Sequence, residues 1–310
     1  MSKPLFNRAS SWVKARFGGR VQKIPVDAGF SCPNLDGTLS DQGCLYCNNR
    51  SFSPFYSSAQ LSISEQLLKG REYFAKRYGC QLFFAYFQSY SCTYAPVETL
   101  REKYQEAAGS QGIAGLVIAT RPDCINAEIT ELLKDFASKT FIRIELGVES
   151  FDNAVLSNIN RCHNAETAMN AIEMLCCTDI PVSIHLISGL PGEQPDHMAK
   201  AARIVSGSGA DMVKLHHLQI VAGSRLAELY KAHPESWPLH TLDGYLEKAC
   251  EFIVNLSPQV YIDRFINRVP VNQLLAPIFK HIDEAGFQRL LENRLRELNI
   301  EQGAEYIAAG

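Results

Sequence analysis

Residues Phe30 to Phe52 read FSCPNLDGTLSDQGCLYCNNRSF, and the order of the chain is built around this stretch. It holds Cys32, Cys44 and Cys47 at the spacing C-x11-C-x2-C, with Tyr46 beside the last cysteine. Pro33, Gly37 and Gly43, interspersed with Asn34, Asp36, Ser40 and Asp41, mark a loop rather than a helix or strand. Three thiols clustered in a chain that reads as intracellular point to a metal site or a redox group before a disulfide. Structural zinc closes its tetrahedron with four Cys or His ligands, and no fourth partner stands at finger-like spacing, the first histidine downstream being His163. An iron–sulfur cube held by three thiolates leaves one iron for a ligand that is not protein. A zinc loop and three unrelated thiols stay open on spacing alone.

Outward from that loop, the bulk numbers describe an ordinary globular protein. The chain has 310 residues, 46% hydrophobic and 20% charged, with a net charge of −3 that excludes a broadly basic surface but not a local basic patch. No apolar run approaches the roughly 18 residues needed to cross a bilayer, and no membrane partner is expected. Ten cysteines without a secretion signal fit a reducing compartment, so a soluble, cytoplasmic protein is expected.

Before the loop, the first 26 residues carry no acid before Asp27, and Lys3, Arg8, Lys14, Arg16 and Arg20 alternate with apolar residues. Phe6, Ala9, Val13 and Phe17 share a helical face, which predicts an N-terminal amphipathic helix within residues 1–19 that closes the bottom of the fold. An RNA-backbone contact and a basic targeting peptide are the other readings of this segment. Gly18-Gly19 ends it.

From Arg20 onward, strand and helix alternate. Strands are predicted at Val21–Val26, Cys80–Phe87, Ile113–Ala119, Phe141–Val148, Val182–Ser188 and Met212–Ile220. Helices are predicted at Ile63–Tyr78, with Ser62 or Ser64 as its cap, and at Val97–Ala108, Ala127–Phe136, Ala165–Cys177, Pro195–Ser206 and Ser224–Ala232. Six β–α units with near-continuous apolar strands predict an α/β fold, a partial (β/α)6 TIM-type barrel, with ligands at the C-terminal ends of the strands. The cysteine loop follows the first strand and so lies at that end. A helix over Leu242–Asn255, a short strand at Val260–Phe265 and a largely helical tail over Val271–Leu298 complete the chain. The division expected is 1–19, a core barrel over 20–263, and a small helical C-terminal extension over 264–310.

Polar groups follow directly on the apolar strands. They are Gln88-Ser89-Tyr90, then Thr120-Arg121-Pro122-Asp123, Glu145 through Glu149-Ser150, Arg161 and His163, His185 with Gly189, Gly192 and Glu193, and Lys214 with His216 and His217. Each alone reads as a solvated loop charge or an ordinary turn. Their recurrence at successive strand ends predicts a pocket there.

On these motifs the chain resembles the radical S-adenosylmethionine (SAM) superfamily. The Cys-x-aromatic-Cys ending behind a strand looks like its cluster loop, and the wide first gap resembles the branch of the Elongator catalytic subunit. ELGVES followed by R-x-H is similar to the Gly-Val-Gln…Arg-x-His pattern of that subunit and of oxygen-independent coproporphyrinogen oxidases. HLISGLPGE is similar to their Asp-x-Ile-x-Gly-Leu-Pro. GFSCPNLDGT…GCLYC, TRPD and KLHHLQ resemble a bacterial subgroup of about this length that is linked to tRNA wobble-uridine maturation.

The resemblance implies a [4Fe–4S] cluster on Cys32, Cys44 and Cys47, next to Tyr46. It implies that Arg161 pairs with the SAM carboxylate, that Glu149 and His185 bind ribose hydroxyls, and that Gln88 stands where many relatives hold the ammonium. The chain departs from the pattern: there is no Gly-Gly-Glu, the fifth-strand acid is His185, and the Gln is Glu149. The activity implied is reductive cleavage of SAM and hydrogen abstraction from a substrate, with a tRNA wobble uridine favoured and a flavodoxin or ferredoxin as electron donor. The alternatives are a small-molecule or peptide substrate, or a non-catalytic zinc-stabilised RNA-binding protein. Cys92, Cys124 and Cys162 lie near strand ends, where a catalytic hydrogen donor or a second cluster would be placed; Cys80, Cys176, Cys177 and Cys250 read as core residues.

Overall fold

A computed structural model describes residues 4–48, 54–267 and 269–307. Lys3 of the basic strip and residues 49–52 at the end of the cysteine stretch lie outside the described residues. After helix α1 (Ala9–Phe17), the strands β1 (Val21–Val26), β2 (Leu82–Phe87), β3 (Ile113–Thr120), β4 (Phe141–Glu149), β5 (Val182–Ser188) and β6 (Met212–His217) pair in parallel in chain order. The helices between them are α2 (Ile63–Tyr78), α3 (Val97–Ala108), α4 (Ala127–Ala137), α5 (Asn153–Asn158), α6 (Ala165–Cys176) and α7 (His197–Gly207). The short helix α5 was not foreseen. It is one and a half turns long, too brief to show a period, and is started by Asp152 capping the amides of Ala154 and Val155.

Local chemistry explains where the helices begin. Ser62 and Glu65 form a reciprocal capping box on α2, while Asn126 and Asn164 cap α4 and α6. Ser64 is not a cap; its amide donates to Glu106.

The end of the chain differs from the sequence expectation. β6 stops at His217, and β7 (Ile220–Val221) turns away to pair antiparallel with β9 (Leu274–Ala276). Helices α8 (Arg225–Ala232) and α9 (Leu242–Asn255) follow β7. A seventh strand, β8 (Tyr261–Ile262), then joins the sheet parallel to β6. In the tail, α10 (Glu284–Leu298) is the expected helix, and β9 with its flanking turns occupies the stretch before it.

The sheet curls into an open half-barrel. β1 and β8 are its opposite edges, yet Lys23 on β1 reaches Asp263, directly after β8, with Nζ 3.1 Å from Oδ2. One face of each strand packs on the helices; on β4 this is Ile142, Ile144 and Leu146. The alternate residues face inward. At the bottom, Phe17 of α1 meets Phe84 and Phe141 edge-on at centroid distances of 5.1 and 5.0 Å. Phe6 precedes the helix and lies edge-on against Phe265. Most of the described basic strip is committed within the chain: Arg8 pairs with Glu292, Arg16 lies over Trp12 and Phe141, and Arg20 lies over Tyr78.

Higher in the lumen the inward residues are charged. Glu145, fully buried, accepts Lys23 Nζ (2.5 Å) and Arg143 Nη2 (2.8 Å) on one oxygen, and Lys214 Nζ (2.6 Å) and Tyr86 OH (2.7 Å) on the other. Burial alone would raise the Glu145 carboxyl, but the ammoniums of Lys214 and Lys23 outweigh it and hold it well below the usual carboxylate range. Glu145, placed with the strand-end groups, sits on the inward face of β4 between the lumen and the cysteine cavity. Glu145→Ala leaves buried cations without their shared anion and should lower the unfolding free energy in urea by about 3–5 kcal/mol. Glu131→Ala, which removes an exposed pair with Lys134, should cost less than about 1 kcal/mol. Equal small losses would show that Glu145 does not hold the lumen together.

Candidate functional site

The cysteine loop runs from the C-terminal end of β1, where the strand order predicts ligands. Its first turn is set by the amides of Leu35 and Asp36 donating to the Cys32 carbonyl, at 2.8 and 3.1 Å. Gly43 has φ 68°, and a Cβ there would lie 2.7 Å from Leu35 Cδ2, so only glycine lets the loop double back before Cys44. Cys32 and Cys44 are buried and Cys47 is half-buried.

A second segment, Asn158 to Arg161, clamps this loop from the side. Asn34 Nδ2 donates to the Asn160 carbonyl (2.7 Å) and toward Cys44 Sγ (3.4 Å). Asn160 Nδ2 donates to the Gly43 carbonyl (2.7 Å), and the Leu45 amide to the Ile159 carbonyl (3.0 Å). Asn160 itself has φ 53°, a conformation asparagine tolerates better than most residues. These two asparagines were not foreseen as site residues; Asn34 had been read only as loop composition.

The three cysteines share a cavity of about 160 Å³ with Tyr46, Arg121, Gly147, Glu149, Arg161 and His185. Arg161 directs Nη1 to Cys44 Sγ at 3.3 Å and bonds the Gly147 carbonyl through Nη2, which also lies 3.7 Å from Glu149 Oε1. Arg121 is held by Asp123 through two bonds (2.8 and 2.7 Å), bonds the Arg161 carbonyl (2.8 Å), and places Nη1 3.9 Å from Cys44 Sγ. Glu149 sits at a bulge at the end of β4 with φ 69°, a strained conformation for glutamate. Burial raises its carboxyl, against the pull of Arg161 and a hydrogen bond from Tyr46. Gly147 leaves room for both: a Cβ there would lie 3.0 Å from Arg161 Nη2 and from Glu149 Oε1.

The structure brings Tyr46, Glu149, Arg161 and His185 to the cysteines. Gln88 lies on the neighbouring lumen cavity of about 210 Å³, whose wall also includes Tyr46, Glu149 and His185. His185 Nε2 stands 3.1 Å from Glu145 Oε2 without the alignment of a hydrogen bond, and burial pushes the imidazole down to about 4, so it is neutral. His163 points its Nδ1 at the Asn164 carbonyl (3.1 Å) and does not line the cysteine cavity. Cys92 and Cys124 are buried, Cys92 directing its thiol to the Ser89 carbonyl, whereas Cys162 is exposed.

The donor set suits a cationic cluster. Burial, and after it the neighbouring Cys44 and Cys32, push the Cys47 thiol up to about 12. Three thiolates in one buried cavity repel each other unless a metal neutralises them. Among the described residues no three His, Cys, Asp or Glu side chains converge on one metal ion. A cube, in which each thiolate meets a different iron, needs them further apart than a single zinc does. Arg161 Nε and Asn34 Oδ1 are buried without partners among the described residues, so polar capacity beside the loop is unspent.

Comparison with known proteins agrees with this architecture. Residues 40–205 match the Radical SAM superfamily and residues 210–297 the Radical_SAM C-terminal domain. Protein YhcC of Escherichia coli (strain K12) is 34% identical over 89% of this chain and 87% of its own length. The tRNA uridine(34) acetyltransferase of Methanocaldococcus infernus is 35% identical over 42% of this chain, which spans only 24% of that enzyme. Among solved structures, the archaeal Methanocaldococcus infernus Elp3 with an N-terminal deletion superposes with a TM-score of 0.68 at 16% identity, over 91% of this chain and 64% of that one, and so shares the fold. The chain belongs to the radical SAM superfamily, and that membership supports an enzyme. No helix among the described residues is long and apolar enough to cross a membrane.

Asn34→Ala removes both bonds that tie the loop to Asn160 and Cys44. It should lower stability in urea by about 1–3 kcal/mol. An unchanged midpoint and slope would mean that the clamp does not hold the loop.

Proposed function

We propose that this protein is a radical SAM enzyme whose [4Fe–4S] cluster is held by Cys32, Cys44 and Cys47, and whose substrate is a nucleoside within tRNA. The observation that carries the first part is the single cavity in which the three cysteines meet Arg161, Arg121 and Glu149. When bound, the cluster supplies the electron that cleaves SAM and generates the radical that takes hydrogen from a substrate carbon. Residues 20–263 form the barrel in this reading, with 1–19 closing it and 264–310 as an extension.

The chain's own residues have separate tasks. Arg161, a permanently charged planar fork, pairs with the SAM carboxylate and screens Cys44. Glu149, presented by the bulge at the end of β4, accepts ribose hydroxyls with Tyr46 beside it. His185, neutral between Glu145 and the cavity, offers a further ribose contact, and Gln88 meets the ligand from the lumen side. Half-burial of Cys47 and burial of the other two cysteines limit the access of water and oxygen. A flavodoxin or ferredoxin is the class of electron donor that fits. Support for tRNA comes from the partial likeness to tRNA uridine(34) acetyltransferase.

The protein, purified without oxygen and reconstituted with iron and sulfide, should be brown and hold about four irons per chain. With dithionite and SAM it should form 5′-deoxyadenosine. Cys44→Ala should lose most of that iron, and Arg161→Ala should bind SAM at least about tenfold more weakly. A colourless protein holding one zinc and forming no 5′-deoxyadenosine would overturn the reading. Retention of tRNA lacking U34 as firmly as of intact tRNA would remove the wobble nucleoside as substrate.

A further inference from the structure

The lumen carries more positive charge than its own acids neutralise. Lys23, Arg143 and Lys214 all converge on Glu145, and Asp263 supplies the second carboxylate, 3.1 Å from Lys23 and 3.6 Å from Arg143. Arg264 is a fourth cation. Its guanidinium bonds the Asn267 side chain (3.1 Å), and it has no carboxylate partner among the described residues.

Arg264 also occupies a junction. It lines the 210 Å³ cavity above the lumen, together with Lys214 and His217, and the larger cavity of about 620 Å³ at the open edge between β1 and residue 263. On the wall of the smaller cavity, Glu149 is the one acid among the described residues, and it is drawn to Arg161 and Tyr46 at the cluster end. His217 is buried against Tyr245 and Phe279, and neither of its ring nitrogens has a partner among the described residues. An imidazole held neutral in this way has one N–H to give.

We propose that this cavity receives an anionic group of the substrate, a carboxylate or a phosphate, gripped by Arg264 with Lys214 and His217 beside it. This rests on the reading that the cavity is the active site. It narrows the substrate to a molecule whose reacting carbon lies within a few bonds of a negative charge. A guanidinium facing a partly enclosed space gains most from an oxyanion, because water no longer screens it there and Glu145 is already saturated. A neutral substrate would leave the Arg264 guanidinium desolvated with no anion to meet it.

The test uses full-length, cluster-loaded protein at fixed ionic strength in sodium chloride, titrated calorimetrically with inorganic phosphate and, separately, with acetate. Saturable binding of one probe is expected, the tighter one naming the group as phosphate or carboxylate. Arg264→Gln should weaken that binding at least about tenfold. Arg264→Lys should recover part of it, which a misfolded variant would not do. Arg101→Gln, an exposed arginine paired with Asp135, should bind like the parent. If neither probe saturates the parent, or Arg264→Gln binds as tightly as the parent, the proposal is wrong. Formation of 5′-deoxyadenosine by the parent is measured separately, so failure of the enzyme reading is distinguishable from failure of the anion site.

Discussion

One buried carboxylate, shared between donors from four strands, is the constraint around which the half-barrel closes. Glu145 on β4 takes bonds from β1, β2, β4 and β6, and His185 on β5 stands against it. An open parallel sheet has no hydrogen bonds between its edges; strand twist curls it, and side chains inside it can tie the edges together. Here an anion at the middle strand draws cations from both flanks inward, and the Lys23–Asp263 pair joins the two edges. The same arrangement is costly if any member is missing, since each charge is out of water.

The cysteine loop depends on this frame indirectly. It begins where β1 ends and is clamped by the segment after α5, which follows the end of β4. The bulge that leaves Glu149 at φ 69° also turns the Gly147 carbonyl toward Arg161. Strain at Glu149, the guanidiniums of Arg121 and Arg161, and the thiols of the loop are thus consequences of where β3 and β4 finish. One wall of the cavity is cationic and sulfur-rich, and the other is the charged lumen; Tyr46, Glu149 and His185 lie on both.

Much of the fold was legible because it is written in local pattern. The alternation of strand and helix patterns gave β1 and β5 at their observed limits, and Ser62 with Glu65 marked the start of α2. Less was legible where the period is short or the partner distant. The run Met212–Ile220 hid a bend at Leu218-Gln219, because apolar content alone does not show that a strand has left its sheet. The tail before α10 read as helical on composition, whereas Ile220 and Val221 recruit it as a strand. Polar residues at alternate positions, Arg143 and Glu145 on β4, carried a signal for an inward charged face, weakened by only two occurrences on that strand.

The order of the β–α units, the place of the cysteine loop after β1, and the residues Cys32, Cys44, Cys47, Tyr46, Glu149 and Arg161 as a candidate set were determined by the sequence itself. The element order and the cysteine loop rest on spacing and short-range propensity, which act within a few residues, whereas Tyr46, Glu149 and Arg161 entered the set through the resemblance of their motifs to a known family. Only the tertiary structure decided that Asn34 meets Asn160 across 126 positions and that Lys23 meets Asp263 across 240. It also decided that Gln88 faces the lumen and that Arg264 stands beside it, bonded to Asn267. The curl of the sheet fixes which inward side chains share a cavity, and that curl is a sum over all strands, absent from any one of them.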